Sequence, residues 1–236
     1  MAGTAFAGRP LTIDDAEPVG KGHFEVEVGV QYTGGARAKH LDIPFGIAWG
    51  VGHGVELSIG FGGQFEEQSH ALGRSHVSGA QDLFAGGKWK LASHKESGAS
   101  LALAASLKFP TADHDHGLGT GGIDFDFTLI ASREWGRLAL DANAGYTVAH
   151  DAHGDDVDDV LHGGFALRFQ LTRAFASVAE VVADVPVSDA EQTVLQIGGG
   201  AQFAVHPDLV LDWYIGTGFR HDSPDLIARI GFTWSF

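Results

Sequence analysis

From about residue 23 onward, apolar and polar residues alternate with period two, the spacing of a strand with one greasy and one wet face. The first stretch sets Phe24, Val26, Val28, Val30 and Tyr32 on one side and Glu25, Glu27, Gly29 and Gln31 on the other. The same alternation recurs through Leu41 to Trp49, Val55 to Phe61, Leu83 to Leu91, Ala99 to Phe109, Ile123 to Ala131, Leu138 to Val148 and Leu161 to Leu171. It continues through Phe175 to Val185, Thr193 to Phe203, Leu209 to Phe219 and a closing stretch from Leu226 to Phe236. Twelve strands are predicted.

The connections alternate in length. Short links fall at Gly50 to Gly54, Ala92 to Gly98, Arg133 to Arg137, Leu171 to Ala174 and Ala204 to Asp208. Longer polar links fall at Thr33 to Lys39, Glu66 to Gly79, Pro110 to Gly121, Ala149 to Asp159, Pro186 to Glu191 and Arg220 to Asp225. Short turns at one end and longer loops at the other suit an up-and-down antiparallel barrel that crosses a membrane.

A soluble β-sandwich also alternates, but it places its aromatic residues mid-strand, in the core. Here they sit near strand ends. Phe24, Trp49, Trp89, Trp135, Phe169, Phe175, Phe203, Trp234 and Phe236 belong to one rim, and Tyr32, Phe65, Phe109, Tyr146 and Phe219 to the other. Membrane interfaces select such girdles. The fold expected is therefore all-β, a single transmembrane barrel over residues 23–236, with residues 1–22 forming a periplasmic tail or a plug. Phe232, Trp234 and Phe236 look like the assembly signal of Gram-negative outer-membrane barrels, which implies the barrel-assembly machinery, outer-membrane lipid and lipopolysaccharide as partners.

Composition narrows this reading further. No apolar run approaches the 18 residues of a spanning helix. The chain has no Cys, which suits passage through an oxidising periplasm. Its net charge of −15 leaves no basic stripe for nucleic acid. No complete signal peptide is visible, although Ala5-Phe6-Ala7 reads as the tail of a cleavage site.

Arg9-Pro10-Leu11-Thr12-Ile13-Asp14-Asp15-Ala16, the stretch Asp82-Leu83-Phe84-Ala85-Gly86-Gly87-Lys88-Trp89-Lys90, and Leu107-Lys108-Phe109-Pro110-Thr111 followed by Gly117-Leu118-Gly119-Thr120-Gly121 carry a family likeness. On these residues the chain resembles the outer-membrane "meta-pathway of phenol degradation" family of transporter barrels. The resemblance implies a conduit for small, often aromatic, compounds. It names no substrate and no cofactor.

Chemistry is sought on the inward face. Candidate lumen-lining residues are Glu25, Glu27, Glu56, Asp124, Asp126, Asp141, Glu180 and Asp212, against Lys88, Lys90, Lys108, Arg168 and Arg229. Hairpin arithmetic sets Glu56 opposite Lys90, Lys108 opposite Asp124 and Asp141 near Arg168. Such pairs stabilise a wall, while an acidic excess favours passing cations. Many inward positions are small, Gly46, Ala48, Ser58 and Gly60 among them. They leave either a narrow passage or room for a plug.

The outer loops hold Asp113, His114, Asp115, His116, His150 and His153, weak metal candidates whose spacing matches no defined site. Solvated acidic loops are the simpler explanation of them. Ser69, His70, Ser75 and His76 before Asp82 offer the elements of a hydrolase, without a nucleophile-elbow frame. The expectation is no enzyme but an outer-membrane channel for passive uptake of small molecules, aromatic or hydrophobic compounds included. A plugged structural or adhesive barrel is the alternative, and a hydrolase the remaining one.

Overall fold

The computed structural model describes residues 8–35, 38–70, 73–116, 118–151, 157–188, 193–220 and 223–236, with only the backbone at residues 68–70, 73 and 74. Ala5-Phe6-Ala7 and His153 lie outside the described residues. The strands are β1 (Phe24–Gly34), β2 (Ala38–Gly52), β3 (Val55–His70), β4 (Gly73–Ala80), β5 (Leu83–His94), β6 (Ala99–Phe109) and β7 (Asp124–Trp135). They continue as β8 (Leu138–Val148), β9 (Val160–Gln170), β10 (Phe175–Pro186), β11 (Val194–His206), β12 (Leu209–Gly218) and β13 (Leu226–Ser235). Among the described residues, one 3-10 turn, His114–His116, interrupts the strands.

The sheet closes on itself. β13 pairs antiparallel with β1 from Glu25↔Ser235 to Gly34↔Leu226. At the seam the Phe24 amide donates to the Phe236 carbonyl at 2.8 Å and the Phe236 amide returns a bond to Phe24 at 2.9 Å. A closed cylinder leaves no row of unpaired backbone groups facing hydrocarbon, and an open sheet would.

Twelve strands make the wall, and β4 is an extra. The first half of β3 pairs with β5, from Val55↔Trp89 to Gly60↔Phe84. Its second half pairs with β4, from Gly63↔Ala80 to His70↔Gly73. Continuing the first register would set Gly63 opposite Gln81, so the two pairings differ by one residue. β4 and β5 are thus a single run broken by a bulge at Gln81–Asp82, where the Gln81 amide donates to Gly62 at 2.9 Å. This corrects the sequence reading of Glu66 to Gly79 as a loop. Two paired strands satisfy their own backbone groups beyond the rim, and polar side chains there do not prevent it.

Side-chain direction shows which solvent each face meets. On β13, Ile230 is 62% exposed and Ile227 only 2%; on β12, Ile215 is 65% exposed and Tyr214 4%. The large apolar residues therefore point outward, as a lipid-facing belt. Its lower rim carries Phe24 stacked on Trp49 (6.0 Å between ring centroids) and on Phe236 (5.7 Å), with Trp234 5.0 Å from Phe236. This is a transmembrane barrel of the outer-membrane type. No described helix is long and apolar enough to cross a membrane.

Two outcomes follow from the wall. Ile230→Arg, on the lipid side, should cost about 2–4 kcal/mol in guanidinium unfolding from lipid vesicles, whereas Thr233→Ser on the inner side should cost under about 1 kcal/mol, as for one hydroxyl kept in place. Deleting Leu226 to Phe236 removes the seam, and the shortened chain should lose heat-modifiable migration on gels.

Candidate functional site

The lumen is occupied by the chain's own amino-terminal segment. Residues 8–20 run round the inside of the wall, touching the strands in turn and descending toward the start of β1. Arg9 meets Asp212 of β12 at 3.2 and 3.3 Å. The amides of Thr12 and Ile13 both donate to Glu180 of β10, at 2.7 and 3.1 Å. Asp14 exchanges two 2.8 Å bonds with Asn143 of β8, and the Ala16 amide donates to Ser132 of β7 at 2.8 Å. Glu17 pairs with Lys90 of β5, and the Val19 amide donates to Glu56 of β3 at 2.8 Å.

Local sequence explains why this segment stays irregular. Pro10 and Pro18 cannot donate to a ladder, and Asp14 and Asp15 accept bonds from the amides of Asp15 and Glu17, which competes with regular structure. Two of its apolar side chains are buried against apolar partners on the wall. Ile13 packs on Ala166 and Val182, and Ala16 on Ala102 and Ile130.

Two glycines seat the first of these contacts. Gly29 and Gly231 face each other across the β1–β13 seam, and Asp212 is the cross-strand partner of Gly231. A Cβ on either glycine would lie 2.3 Å from the Arg9 guanidinium. The pair thus forms a slot along which Arg9 reaches Asp212. Gly50 does the same lower down, where a Cβ would lie 2.0 Å from the Gly20 carbonyl.

The structure places the lumen candidates around this segment. Glu180, Asp212 and Arg229 form one group: Arg229 donates to the Pro10 carbonyl (2.8 Å), Gln31 (2.8 Å) and Glu180 (3.1 Å), and lies 4.6 Å over the Tyr214 ring. Lys88 and Asp141 flank the middle of the segment. Lys88 holds Asp14 at 3.0 and 3.1 Å and the Asp15 carbonyl at 3.1 Å, while Asp141 accepts from Ser132 at 2.5 Å. Glu56 stands opposite Lys88 in the register, not Lys90, because the bulge at Gln81–Asp82 shifts the pairing of β3 by one residue, which simple counting overlooks. Arg168 reaches Glu134 at 3.5 Å and stands diagonally from Asp141 across β8 and β9. Glu25 and Glu27 accept from Ser235 (3.0 Å) and Thr233 (3.5 Å).

A second polar group lies toward the outer rim. Lys108 meets Asp124 at 2.5 Å, Thr120 at 2.6 Å and Asp82 at 3.9 Å, and the Ala112 amide donates to Asp82 at 2.8 Å. These contacts draw residues 110–116 and 118–121 inward and bury Leu118. Asp126 gathers Thr128 (3.0 Å), Thr147 (2.8 Å) and His162 (2.6 Å). Asp159, outside the strands, accepts from the Tyr146 hydroxyl at 2.5 Å and the Ala149 amide at 3.1 Å, which hold its carboxyl below the usual range.

The loop residues do not converge. His116 pairs with Asp113 at 2.7 Å and His114 lies 3.3 Å from Asp115, while His150 meets Phe125 edge-on. Among the described residues no three His, Asp or Glu side chains gather as a metal site. His76 faces Glu67 at 3.8 Å, and Asp82 is engaged by Ala112 and Lys108, so the structure does not bring these two together.

Below the segment lies a cavity of about 940 Å³. Eight carboxylates line it, among them Glu25, Glu27, Glu56 and Asp141, against six Lys and Arg side chains. Sequence reasoning missed Arg9, Asn143, Ser132, Tyr214 and Phe84. The inward parity that Phe84 shares with Lys88 and Lys90 was the available signal for the last of these.

A family model described as "Putative MetA-pathway of phenol degradation" matches residues 7–236. Among solved structures, the COG4313 outer membrane channel from Pseudomonas putida F1 superposes with a TM-score of 0.73 at 15% identity, over 96% of this chain and 100% of that one. The NanC porin gives 0.63 at 13% identity, over 89% and 98%. The CymD monoaromatic hydrocarbon channel gives 0.58 at 11%, over 92% and 89%. At these identities the likeness is one of fold. No curated protein sequence matches the chain.

The Arg9 seat can be tested with a reporter, because the chain has no native Cys. In a Thr12→Cys background, Arg9→Ala or Gly231→Val should raise the rate of maleimide labelling at position 12 at least tenfold, since either change leaves Asp212 buried without its partner.

Proposed function

The chain belongs to the family of the MetA pathway of phenol degradation, and from that premise we propose that it is a passive outer-membrane conduit for small solutes, single-ring aromatic compounds included. The cavity of about 940 Å³ inside a closed, lipid-facing wall carries this reading. A space of that size is typical of sites that enclose a small molecule, and its rim of eight carboxylates against six cationic groups favours cations over anions. The amino-terminal segment narrows the route and splits the lumen into a lower cavity and an upper polar group.

A second reading has its own support. The circuit of hydrogen bonds from Arg9 to Val19 is what a permanently plugged structural or adhesive barrel would need. Catalysis has no such support among the described residues. Outer-membrane lipid and lipopolysaccharide are the proposed surroundings of the belt, and the barrel-assembly machinery is the proposed reader of Phe232, Trp234 and Phe236.

Reconstitution separates the two readings. The conduit should give single-channel current in planar bilayers with a cation-to-anion permeability ratio above one, and should admit phenol into liposomes faster than protein-free vesicles do. A folded preparation with neither current nor uptake would establish the plugged barrel. Deleting residues 8–20 should raise the conductance of a conduit severalfold and give current where a plugged barrel had none.

A further inference from the structure

Among the described strand residues, Phe84 alone turns a large apolar side chain inward and leaves it exposed, at 44%. Ile130, Val178, Val182, Val210, Tyr214 and Ile227 also point into the lumen, and all are buried. Phe84 instead borders the cavity. Its cross-strand partner on β3 is Gly60, which in turn faces Gly46 on β2, so no wall side chain lies beside the ring on that flank. A Cβ on Gly60 would sit 3.8 Å from the Phe84 Cβ, in ordinary contact, so the glycine is not required there by backbone crowding. An uncovered ring in a wet lumen exposes apolar area that a bound apolar surface would remove from water.

Ser58 supplies a polar group at the right range. It also borders the cavity, one step along β3 on the same face as Gly60, and so stands diagonally from Phe84. Diagonal cross-strand neighbours are about 7–8 Å apart, close enough for one ring laid against Phe84 to direct a substituent toward Ser58. Ser58 makes no side-chain hydrogen bond among the described residues, so its hydroxyl is free to donate or accept.

We propose that Phe84 and Ser58 form a binding subsite on the lumen wall for a single-ring aromatic solute bearing a hydroxyl group. The ring of the solute lies against Phe84 over the floor left open by Gly60 and Gly46, and its hydroxyl bonds to Ser58. The subsite rests on the conduit reading for its purpose, but binding itself does not require passage.

The test uses the full chain in lipid nanodiscs, with heat-modifiable migration as proof of folding and empty nanodiscs to subtract partition into lipid. Phenol binding is read by saturation-transfer NMR, with toluene as the probe lacking a hydroxyl. Phe84→Ala should weaken phenol and toluene binding at least tenfold. Gly60→Val, which fills the floor beside an unaltered Phe84, should do the same. Ser58→Ala should weaken phenol several-fold and leave toluene unchanged. Equal phenol binding by wild type and both ring-site variants overturns the subsite, and a loss shared equally by toluene in Ser58→Ala overturns the part given to Ser58. Current in bilayers together with binding that ignores Phe84 keeps the conduit and removes the subsite. Binding that depends on Phe84 in a barrel that passes no current keeps the subsite and removes the conduit.

Discussion

Every backbone group in the hydrocarbon layer must find its partner within the protein, because lipid offers none. In this chain the requirement is met by one joint, the β1–β13 seam, where ten residue pairs from Glu25↔Ser235 to Gly34↔Leu226 turn a sheet into a cylinder. The rest depends on that joint. It brings Gly29 against Gly231 and so creates the slot for Arg9. It also brings Arg229 beside Gln31, within reach of both Pro10 and Glu180. Residues more than two hundred positions apart become neighbours only when the barrel closes.

Closure produces two solvents, and the wall treats them differently. Outside, apolar residues meet lipid with no need for specific partners. Inside, charged residues are crowded together, and a buried charge without a partner is costly. The wall neutralises itself only in part, as where Lys108 meets Asp124. Asp212, Glu180, Lys88, Lys90 and Glu56 each find a partner on the amino-terminal segment. The segment is therefore part of the electrostatic balance of the lumen, and it makes the passage narrow by the same contacts that stabilise it.

Alternation, loop lengths and the aromatic rims made the strands, their faces and their order legible, since each depends on residues a few positions apart. Phe24, Trp49, Trp234 and Phe236 at one rim follow directly from strand ends. The β3–β4 arm was not legible, because backbone pairing beyond the rim needs no hydrophobic pattern to announce it. Lys108 opposite Asp124 could be counted from a hairpin, whereas Glu56 opposite Lys88 could not, because a bulge changes the count by a residue invisible in composition.

The sequence by itself determined that this is a membrane barrel, how many strands build its wall and which side of each strand meets lipid, since period two and the reach of a strand are local properties of the chain. Only the tertiary structure decided where residues 8–20 lie, which charges pair and why Phe84 stands uncovered. Those outcomes depend on which strands come to face one another across the lumen, and closing the cylinder sets that distance irrespective of how far apart the residues are in sequence.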